Sequence, residues 1–593
     1  MRSIHVICVL IFVRIGELSL GPPDHGFHHR VNPLTFFTKP TIMAKNTLKF
    51  IPLGGLGEIG RNMNVFEYGK NILIVDAGVM FPEQDMLGVD LVIPNFDYLR
   101  DKKDWIRGIV ITHGHEDHTG ALPFLLDEIQ APIYSTKLVL ALVERKLKEH
   151  FGKGYKPDLH EMTPGDPVRL GPFTVHSVFL SHSIPDSMAL AIDTPVGRLI
   201  HSGDFKIDLT PAAGEGPDLA RLAALAEPGV LALFADSTGA ERAGFTPSEK
   251  TLEPVFDQIM REAPGRVLVA SFASQLQRLQ MIIDISHRHG RKIAIAGRSM
   301  IQNFETARRL GYLKVPKGVY VKLETARKLP PKQVTIMITG SQGQPEAALA
   351  RIATDRHRDI QLRKEDTVVI SASPIPGNEE EVAKMINQLV AKGAEVIYPP
   401  LAHVHVSGHA SQEEMKLLLS LVHPQYFIPV HGELRHLHLH ARLAESMGIP
   451  KNRIFQIRNG DVLEIMPEGC RVVEQIPSSY IFVDGSGVGD VGPKVLHERD
   501  ALARGGFVVA IIPLKKDTRE LAGKPQLVTR GAVYTLQAEE MMARAQEVLE
   551  RTIKKHKNKK RQAMLVAVQQ ALSRYFYQTT RRNPVIVPVV QEC

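Results

Sequence analysis

Thr112-His113-Gly114-His115-Glu116-Asp117-His118 follows directly on the apolar run Ile109-Val110-Ile111. Four potential metal ligands, all imidazole or carboxylate, therefore fall within six residues at the end of a strand. Alternate residues of an extended chain project to one side, so His113 and His115 face together. A turn into a helix immediately afterwards brings Asp117 and His118 to a second point close by, with Gly114 permitting an unusual backbone path. Nitrogen and oxygen donors without thiolate suit borderline divalent ions such as zinc or manganese. Two such ions about 3.5–4 Å apart can share a hydroxide and clamp the attacking and leaving oxygens of a phosphoryl displacement. A lone histidine is more often structural than a ligand; three with an interposed aspartate at a strand end point to a metal centre. Such a centre needs ligands from distant parts of the chain, so the fold must bring other strand ends to this one.

The chain supplies strands in two rhythms. From Leu48 to about Thr112 short β runs alternate with turns (Asn64–Tyr68, Asn71–Asp76, Gly108–Thr112), residues 121–150 read as helix, and strands return at 173–180, 189–194 and 198–202. From about Pro247 to Pro399 apolar runs (267–272, 292–296, 334–338, 367–371, 395–398) alternate with helix-length segments, the pattern of βαβ units and a parallel sheet. A helix after Ser411, the strand Tyr426–Val430, a Gly-rich joint at 485–492 and a small α/β tail follow. One α/β region is thus inserted into another domain.

Length and composition fit this. At 593 residues the chain has room for three or four domains, and 44% hydrophobic with 23% charged residues is ordinary for a globular protein. Three cysteines, Cys8, Cys470 and Cys593, are too few and too dispersed for a disulfide framework or a thiolate zinc module, which favours a reducing compartment. No apolar run reaches the roughly 18–20 residues that a membrane-spanning helix needs. The formal charge of +8 sits in the tail: residues 541–593 hold eleven Lys/Arg against three Glu. A localised basic tail favours a polyanionic partner such as nucleic acid, the alternative being a solvated charged helix. At the other end, Arg2 and the apolar stretch 4–13 sketch a signal peptide without a small-x-small cleavage site. Residues 1–43 are expected to be a disordered extension or an upstream-start artefact, with the start at Met1 or Met43, and the protein to be cytoplasmic.

Gly55-Leu56-Gly57-Glu58-Ile59-Gly60 matches the dinucleotide fingerprint literally, but that motif must open a helix. Another β run begins within four residues, so a nucleotide fold is rejected at this place.

His-x-His-x-Asp-His resembles the signature of metallo-β-lactamase-fold hydrolases. Further stretches narrow the resemblance to the β-CASP nucleases and, within them, to bacterial ribonuclease J: Leu53–Gly60, Asp76–Gly78, His201-Ser-Gly-Asp204, Asp236-Ser-Thr238, Gly340–Gly343, Ser373–Glu379, His405-Val-Ser-Gly-His409, Pro429–Glu433 and Arg581–Pro584. The match runs almost continuously over residues 44–593. It implies an αββα metallo-β-lactamase sandwich over 44–246 and 412–480, an inserted parallel α/β β-CASP domain over 247–411, a linker at 481–497 and a C-terminal α/β domain over 498–593. It also implies two divalent ions per subunit, zinc or manganese. His113, His115 and His182 would hold one, Asp117, His118 and His431 the other, with Asp204 bridging and Asp76 in support behind the site. Taken alone, Asp204 could cap a turn and His182 could sit on a loop.

The resemblance makes Asp117, Asp236 and His409 the catalytic candidates, with His409 positioned to protonate the leaving oxygen. His405, Val406, Ser407, Gly408 and His409, with Ser373, would grip the 5′-monophosphate of single-stranded RNA, and Phe81 would stack a terminal base unless it packs in the core. The implied activity is 5′-to-3′ exonucleolytic trimming with endonuclease capacity in rRNA and mRNA maturation and decay. The implied partners are RNA and a second or further copies in a homodimer or homotetramer, with other RNA-decay factors or the ribosome as further candidates. The rivals are a small-substrate hydrolase of the same fold, a β-CASP nuclease acting on DNA, and a catalytically silent RNA-binding scaffold. Departures from the family pattern are Gly239 where Asn is expected, Gln275 and Gln277 for Asn and His, and Gln344 for Glu; they touch RNA-channel contacts and the exo/endo balance. The run His436, His438, His440 is read as structural because i, i+2, i+4 spacing spreads the rings around a helix. Lys554, Lys555, Lys557, Lys559, Lys560 and Arg561 would bind phosphate without sequence preference, or form a solvated helix junction.

Overall fold

Strand period 2 with both faces apolar builds the first layer. In Asn71–Val75, Leu73 and Val75 point into one core while Ile72 and Ile74 point into another. The computed structural model describes residues 47–375, 377–516, 520–532 and 538–592. The extension expected at 1–43 lies outside the described residues, as does Pro376. Eight strands form a sheet in the order Gly469–Gln475, Asp461–Met466, Leu48–Gly54, Met63–Tyr68, Asn71–Val75, Ile106–Val110, Ile133–Ser135, Leu159–Glu161. Six more form a second sheet: Tyr426–Val430, Ala232–Asp236, Gly197–His201, Met188–Thr194, Phe173–Phe179, Val168–Leu170. Phe50, Phe66, Leu73 and Val110 of the first sheet and Phe234, Leu190, Leu199 and Ile428 of the second share one core, in which Phe50 and Phe234 lie 4.4 Å apart, centroid to centroid. Helices cover the outer faces, Leu122–Glu128 and Lys137–Phe151 on one side and Leu219–Ala226, Gln412–Val422 and Leu434–Ser446 on the other. This is the αββα sandwich, and strands and helices on both sides of the insertion contribute to it.

The inserted region has a five-stranded, all-parallel sheet in the order Lys292–Ala296, Val334–Ile338, Val267–Ala270, Thr367–Ile370, Glu395–Ile397. Its apolar runs are nearly continuous because helices bury both faces. Leu138, Leu142 and Ile184 of the sandwich join the same core as Phe256 and Phe304 of the insert, so apolar packing crosses the junction. The tail carries Gln526–Arg530, Phe507–Leu514 and Val585–Glu592 under the helices Ala538–His556 and Arg561–Thr580.

One expectation changes. Residues 121–150 are not one helix: the strand Ile133–Ser135 interrupts it directly after Pro132, whose ring cannot continue the preceding helix. Within the segment expected as a linker, Ile481–Asp484 pairs antiparallel with Leu91–Ile93; just beyond it, Arg499 Nη1 donates to Leu87 O at 2.9 Å.

The parallel register of Gly197–His201, Ala232–Asp236 and Tyr426–Val430 delivers three strand C-termini to one edge. Asn71–Val75 and Ile106–Val110, also parallel, deliver two more from the facing sheet. Asp204, Asp236, His431, Asp76 and the His113–His118 run all sit just at or beyond these ends.

Candidate metal centre

Several residues of the centre leave their strands through left-handed or glycine-bearing backbone, Gly114 beside His113 and Gly203 beside Asp204 among them. Asp76 (φ 66) and His431 (φ 51) adopt the left-handed region, uncommon outside glycine and enriched at functional sites. His115 is the N-cap of the short helix Glu116–Thr119, which turns Asp117 and His118 back toward the strand end.

His113 Nε2 lies 3.0 Å from His115 Nδ1, and His182 Nε2 lies 3.2 Å from that same nitrogen. Asp204 Oδ2 is 3.6 Å from His113 Nε2, 3.9 Å from His182 Nε2, and 3.3 Å from both His118 Nε2 and His431 Nε2. Asp117 Oδ2 stands 3.5 Å from His118 Nε2 and 3.9 Å from His431 Nε2. Three overlapping donor sets result, His113/His115/His182/Asp204, Asp117/His118/Asp204/His431 and Asp204/Asp236/His409/His431, each with candidate ligand atoms within 4.8 Å of one another.

The far nitrogens fix the tautomers. His182 Nδ1 meets the Gly408 carbonyl at 2.7 Å, His118 Nδ1 meets Asp76 Oδ2 at 2.8 Å, and His431 Nδ1 meets Asn62 Oδ1 at 2.8 Å. His113 Nδ1 lies 3.1 Å from Thr112 Oγ1, whose hydroxyl donates to Asp76. With protons on the outer nitrogens, the inner ones turn bare lone pairs on a common point. Burial reinforces this: it pushes His113 and His182 well below 6.5 and His115 to about 4. Burial opposes the charge on His431 too, but Asp204 overrides it and lifts that ring to about 9. His118 is likewise driven upward against its burial by Asp204, Asp117 and Asp76. Yet Asn62 Nδ2 lies 3.1 Å from His118 Nε2 and also donates to Asp117 O at 3.1 Å, so a proton on Nε2 would point at another donor. Crowded lone pairs on one side, and a nitrogen wanted both neutral and compensated on the other, are the conditions a divalent cation resolves. The donor set fits such ions.

Beside this cluster His409 Nδ1 meets Asp236 Oδ2 at 2.8 Å, leaving Nε2 free, and His409 stands 4.0 Å from Asp204. The Asp236 carboxyl is fully buried, yet His409 holds it below the ordinary carboxylate value. His405 accepts from Arg278 Nη1 at 2.9 Å through Nδ1, and burial followed by the Arg278 charge pushes it to about 3. It is therefore a neutral ring whose Nε2 can only donate. Ser407 Oγ accepts from the His409 amide at 3.1 Å. Gly408 is required: a Cβ there would lie 2.8 Å from His182 Cε1. The Val406 side chain is buried in the core of the insert, so only its backbone can meet a ligand. Ser373 is exposed, and so is Phe81 at 49%, which excludes core packing for it. Their two loops meet where Gln84 Nε2 donates to Gly377 O at 3.1 Å.

Four family models match: a ribonuclease J β-CASP domain at residues 264–389, a ribonuclease J C-terminal domain at 494–593, a β-lactamase superfamily domain at 70–226, and a Zn-dependent metallo-hydrolase RNA specificity domain at 393–454. Ribonuclease J 1 of Streptococcus pyogenes is 42% identical over 551 residues, covering 92% of this chain and 98% of that protein. The chain belongs to the ribonuclease J family. Other members are similar over comparable lengths: ribonuclease J2 of Bacillus subtilis at 38% identity over 92% of this chain and 99% of its own, and ribonuclease J of Synechocystis at 46% over 86% and 80%. A crystal structure of an Enterococcus faecalis protein of unknown function shares the fold, with a TM-score of 0.51 at 15% identity over 71% of this chain and all of that one.

Among departures from the ribonuclease J pattern, Gly239 has a structural reason: a Cβ there would collide with the Ala410 carbonyl. Gln275 is buried and accepts from Ser271 Oγ at 2.9 Å, and Gln277 is buried too, whereas Gln344 is exposed. Of the histidine run, His436 is buried with Nδ1 3.3 Å from the Glu433 amide and His440 meets Ser237 Oγ at 3.0 Å, while His438 is exposed; among the described residues they form no metal cluster. Sequence reasoning missed Asn62, Thr112 and Arg278. The signal for Asn62 was the Gly55–Gly60 run itself, a loop shaped for close approach whose purpose is neither turn nor nucleotide.

Proposed function

We propose that this protein is a metal-dependent ribonuclease that removes nucleotides 5′-to-3′ from single-stranded, 5′-monophosphorylated RNA and also cuts internally, in RNA maturation and decay. The observation that carries the reading is the convergence of His113, His115, Asp117, His118, His182, Asp204 and His431 on one point beside the His409–Asp236 pair. His113, His115 and His182 would hold one divalent ion, zinc or manganese, and Asp117, His118 and His431 would hold a second, with Asp204 available to both. Bound there, the ions supply Lewis acidity and charge neutralisation at the scissile phosphodiester.

The chain's own residues do the rest. His405 donates from Nε2 to a terminal phosphate oxygen, and backbone amides around Ser407 and the loop after Ser371 add donors. Fixing the 5′-phosphate fixes which phosphodiester reaches the centre. Water adds at phosphorus and releases a proton to solvent, the P–O3′ bond breaks, and His409, oriented by Asp236, gives a proton from Nε2 to the departing 3′ oxygen and regains one from solvent. Phe81 offers an exposed ring to the terminal base. The products are a nucleoside 5′-monophosphate and an RNA one residue shorter with a new 5′-phosphate, ready for the next round. The protein works in the cytoplasm as a homodimer or homotetramer.

The test incubates purified protein and manganese or zinc with matched RNA and DNA strands carrying 5′-monophosphate or 5′-triphosphate. Mononucleotide release from 5′-monophosphorylated RNA is expected to dominate. Equal degradation of DNA, or RNA cleavage unchanged in Asp117→Ala, would sink the proposal.

A further inference from the structure

We infer that Asn62 is a positioning residue that pre-organises the Asp117–His118–His431 half of the metal centre and leaves the His113–His115–His182 half to other supports. The inference rests on the two-ion reading above. Asn62 is 3% exposed, and all of its polar atoms are engaged with segments that carry ligands or support them. Its amide N–H donates to Asp117 O at 3.0 Å and its side-chain Nδ2 to the same oxygen at 3.1 Å, while its carbonyl accepts from Gly78 N at 2.9 Å, behind Asp76. Oδ1 accepts from His431 Nδ1 at 2.8 Å, which keeps that ring's proton away from the centre. Nδ2 also lies 3.1 Å from His118 Nε2, where it can hold the lone pair in place until a cation takes it. One carboxamide thus fixes the ring of one ligand, the lone pair of another and the backbone of a third. The other half is held differently, His182 by Gly408 O and His113 by Thr112.

The loop is built around this group. Gly55 has φ 93, and a Cβ on it would collide with Asn62 Oδ1; a Cβ on Gly54 would collide with the Arg61 carbonyl. Arg61, at φ 47, is anchored by Nε on Glu58 Oε1 at 2.8 Å and by stacking 4.5 Å over the Tyr480 ring. Gly55, the first glycine of the stretch that imitates a dinucleotide motif, makes room for an amide next to the candidate metal centre.

The test strips the holoprotein of metal and titrates it with zinc against a chromophoric chelator, reading ions bound per chain and the affinity of each. Wild type is expected to bind two. Asn62→Leu, similar in shape but without donors or acceptors, is expected to keep one ion at unchanged affinity and to weaken the other by about 10- to 100-fold, the usual cost of losing a ligand's supporting hydrogen bond. Gly55→Ala, which displaces the amide without removing it, should give the same asymmetry. Adding His118→Ala to Asn62→Leu should deepen the loss at that same ion and leave the other unchanged, whereas adding His182→Ala should weaken both ions. If Asn62→Leu fails to fold, Asn62→Ser gives the same reading. Two ions bound normally, or both weakened alike, would overturn the role of Asn62; a wild type that binds fewer than two overturns the two-ion reading instead.

Discussion

His409 and His405 lie four residues apart on one segment and are set for opposite tasks by their neighbours. Asp236 accepts a hydrogen bond from the Nδ1 of His409, while Arg278 donates one to the Nδ1 of His405. His409→Ala should therefore lower the single-turnover cleavage rate by about 10²- to 10⁴-fold, the usual contribution of a positioned acid, with metal content unchanged. A loss of bound metal in that variant would make His409 a ligand instead. His440 offers a separate test, because it touches no metal ligand directly. Burial pushes it to about 4, so the folded protein refuses a proton that the unfolded chain takes up below about 6.5. Stability from keeping it neutral is complete above the unfolded value and is lost as pH falls from 6.5 toward 4, at about 1.4 kcal/mol per pH unit for one such proton. Urea denaturation between pH 7 and 4.5 should show that slope reduced by one proton in His440→Phe; an unchanged slope would mean that His440 charges freely in the fold.

At the scale of elements, Arg278 on the helix Leu276–Arg288 ties three segments together. It meets Glu249 through two nitrogens at 2.7–3.2 Å, Ser371 O at 2.8 Å and His405 at 2.9 Å, with no exposed surface of its own. Arg278→Met should leave Glu249 buried and unpaired and cost about 3–5 kcal/mol in chemical denaturation, a penalty that pairing with an apolar replacement at Glu249 should largely relieve. Arg278 also shows why part of the site was hidden in the sequence. His113, His115, Asp117 and His118 were legible because the ligands are local and the apolar strand before them is plain. The five insert strands were legible because burial on both faces makes their apolar runs continuous. Arg278 gave no such sign, since nothing near it marks it as more than a helix arginine; Asn62 meets His431 across 369 positions, and the glycine run before it signals a close approach without saying what approaches. His182, Asp204 and His431 were reachable only through family resemblance, since each is a lone residue at the end of its own strand or in the loop just beyond it. The break at Ile133–Ser135 was missed because a short strand flanked by apolar helices keeps their composition.

Across the whole molecule, charge is segregated to the turn between the helices Ala538–His556 and Arg561–Thr580. Lys554, Lys555, Lys557, Lys559 and Lys560 are exposed and, among the described residues, have no acidic partner; Arg561 pairs with Glu592 at 2.8 Å. The helix dipole accounts for Lys554 and Lys555, which sit in the last turn of a helix where cations are favoured. It does not account for Lys559 and Lys560, which crowd the N-terminus of the next helix, where a cation is disfavoured and Lys560 supplies no capping hydrogen bond. Folding alone would not place them there, so a polyanion is the natural neutraliser. RNA long enough to reach the turn should bind with a salt dependence that the turn sets, since each phosphate contact on a single strand adds about 0.7 to the slope of log K against log salt. Replacing the five lysines by glutamine in the His409→Ala background should reduce that slope by up to about 3.5 for a long 5′-monophosphorylated RNA, measured by fluorescence anisotropy. Binding of a short oligonucleotide confined to the metal centre should not change. Equal weakening of long and short RNA would assign the lysines a general field effect, and no weakening of either would return the turn to a solvated junction.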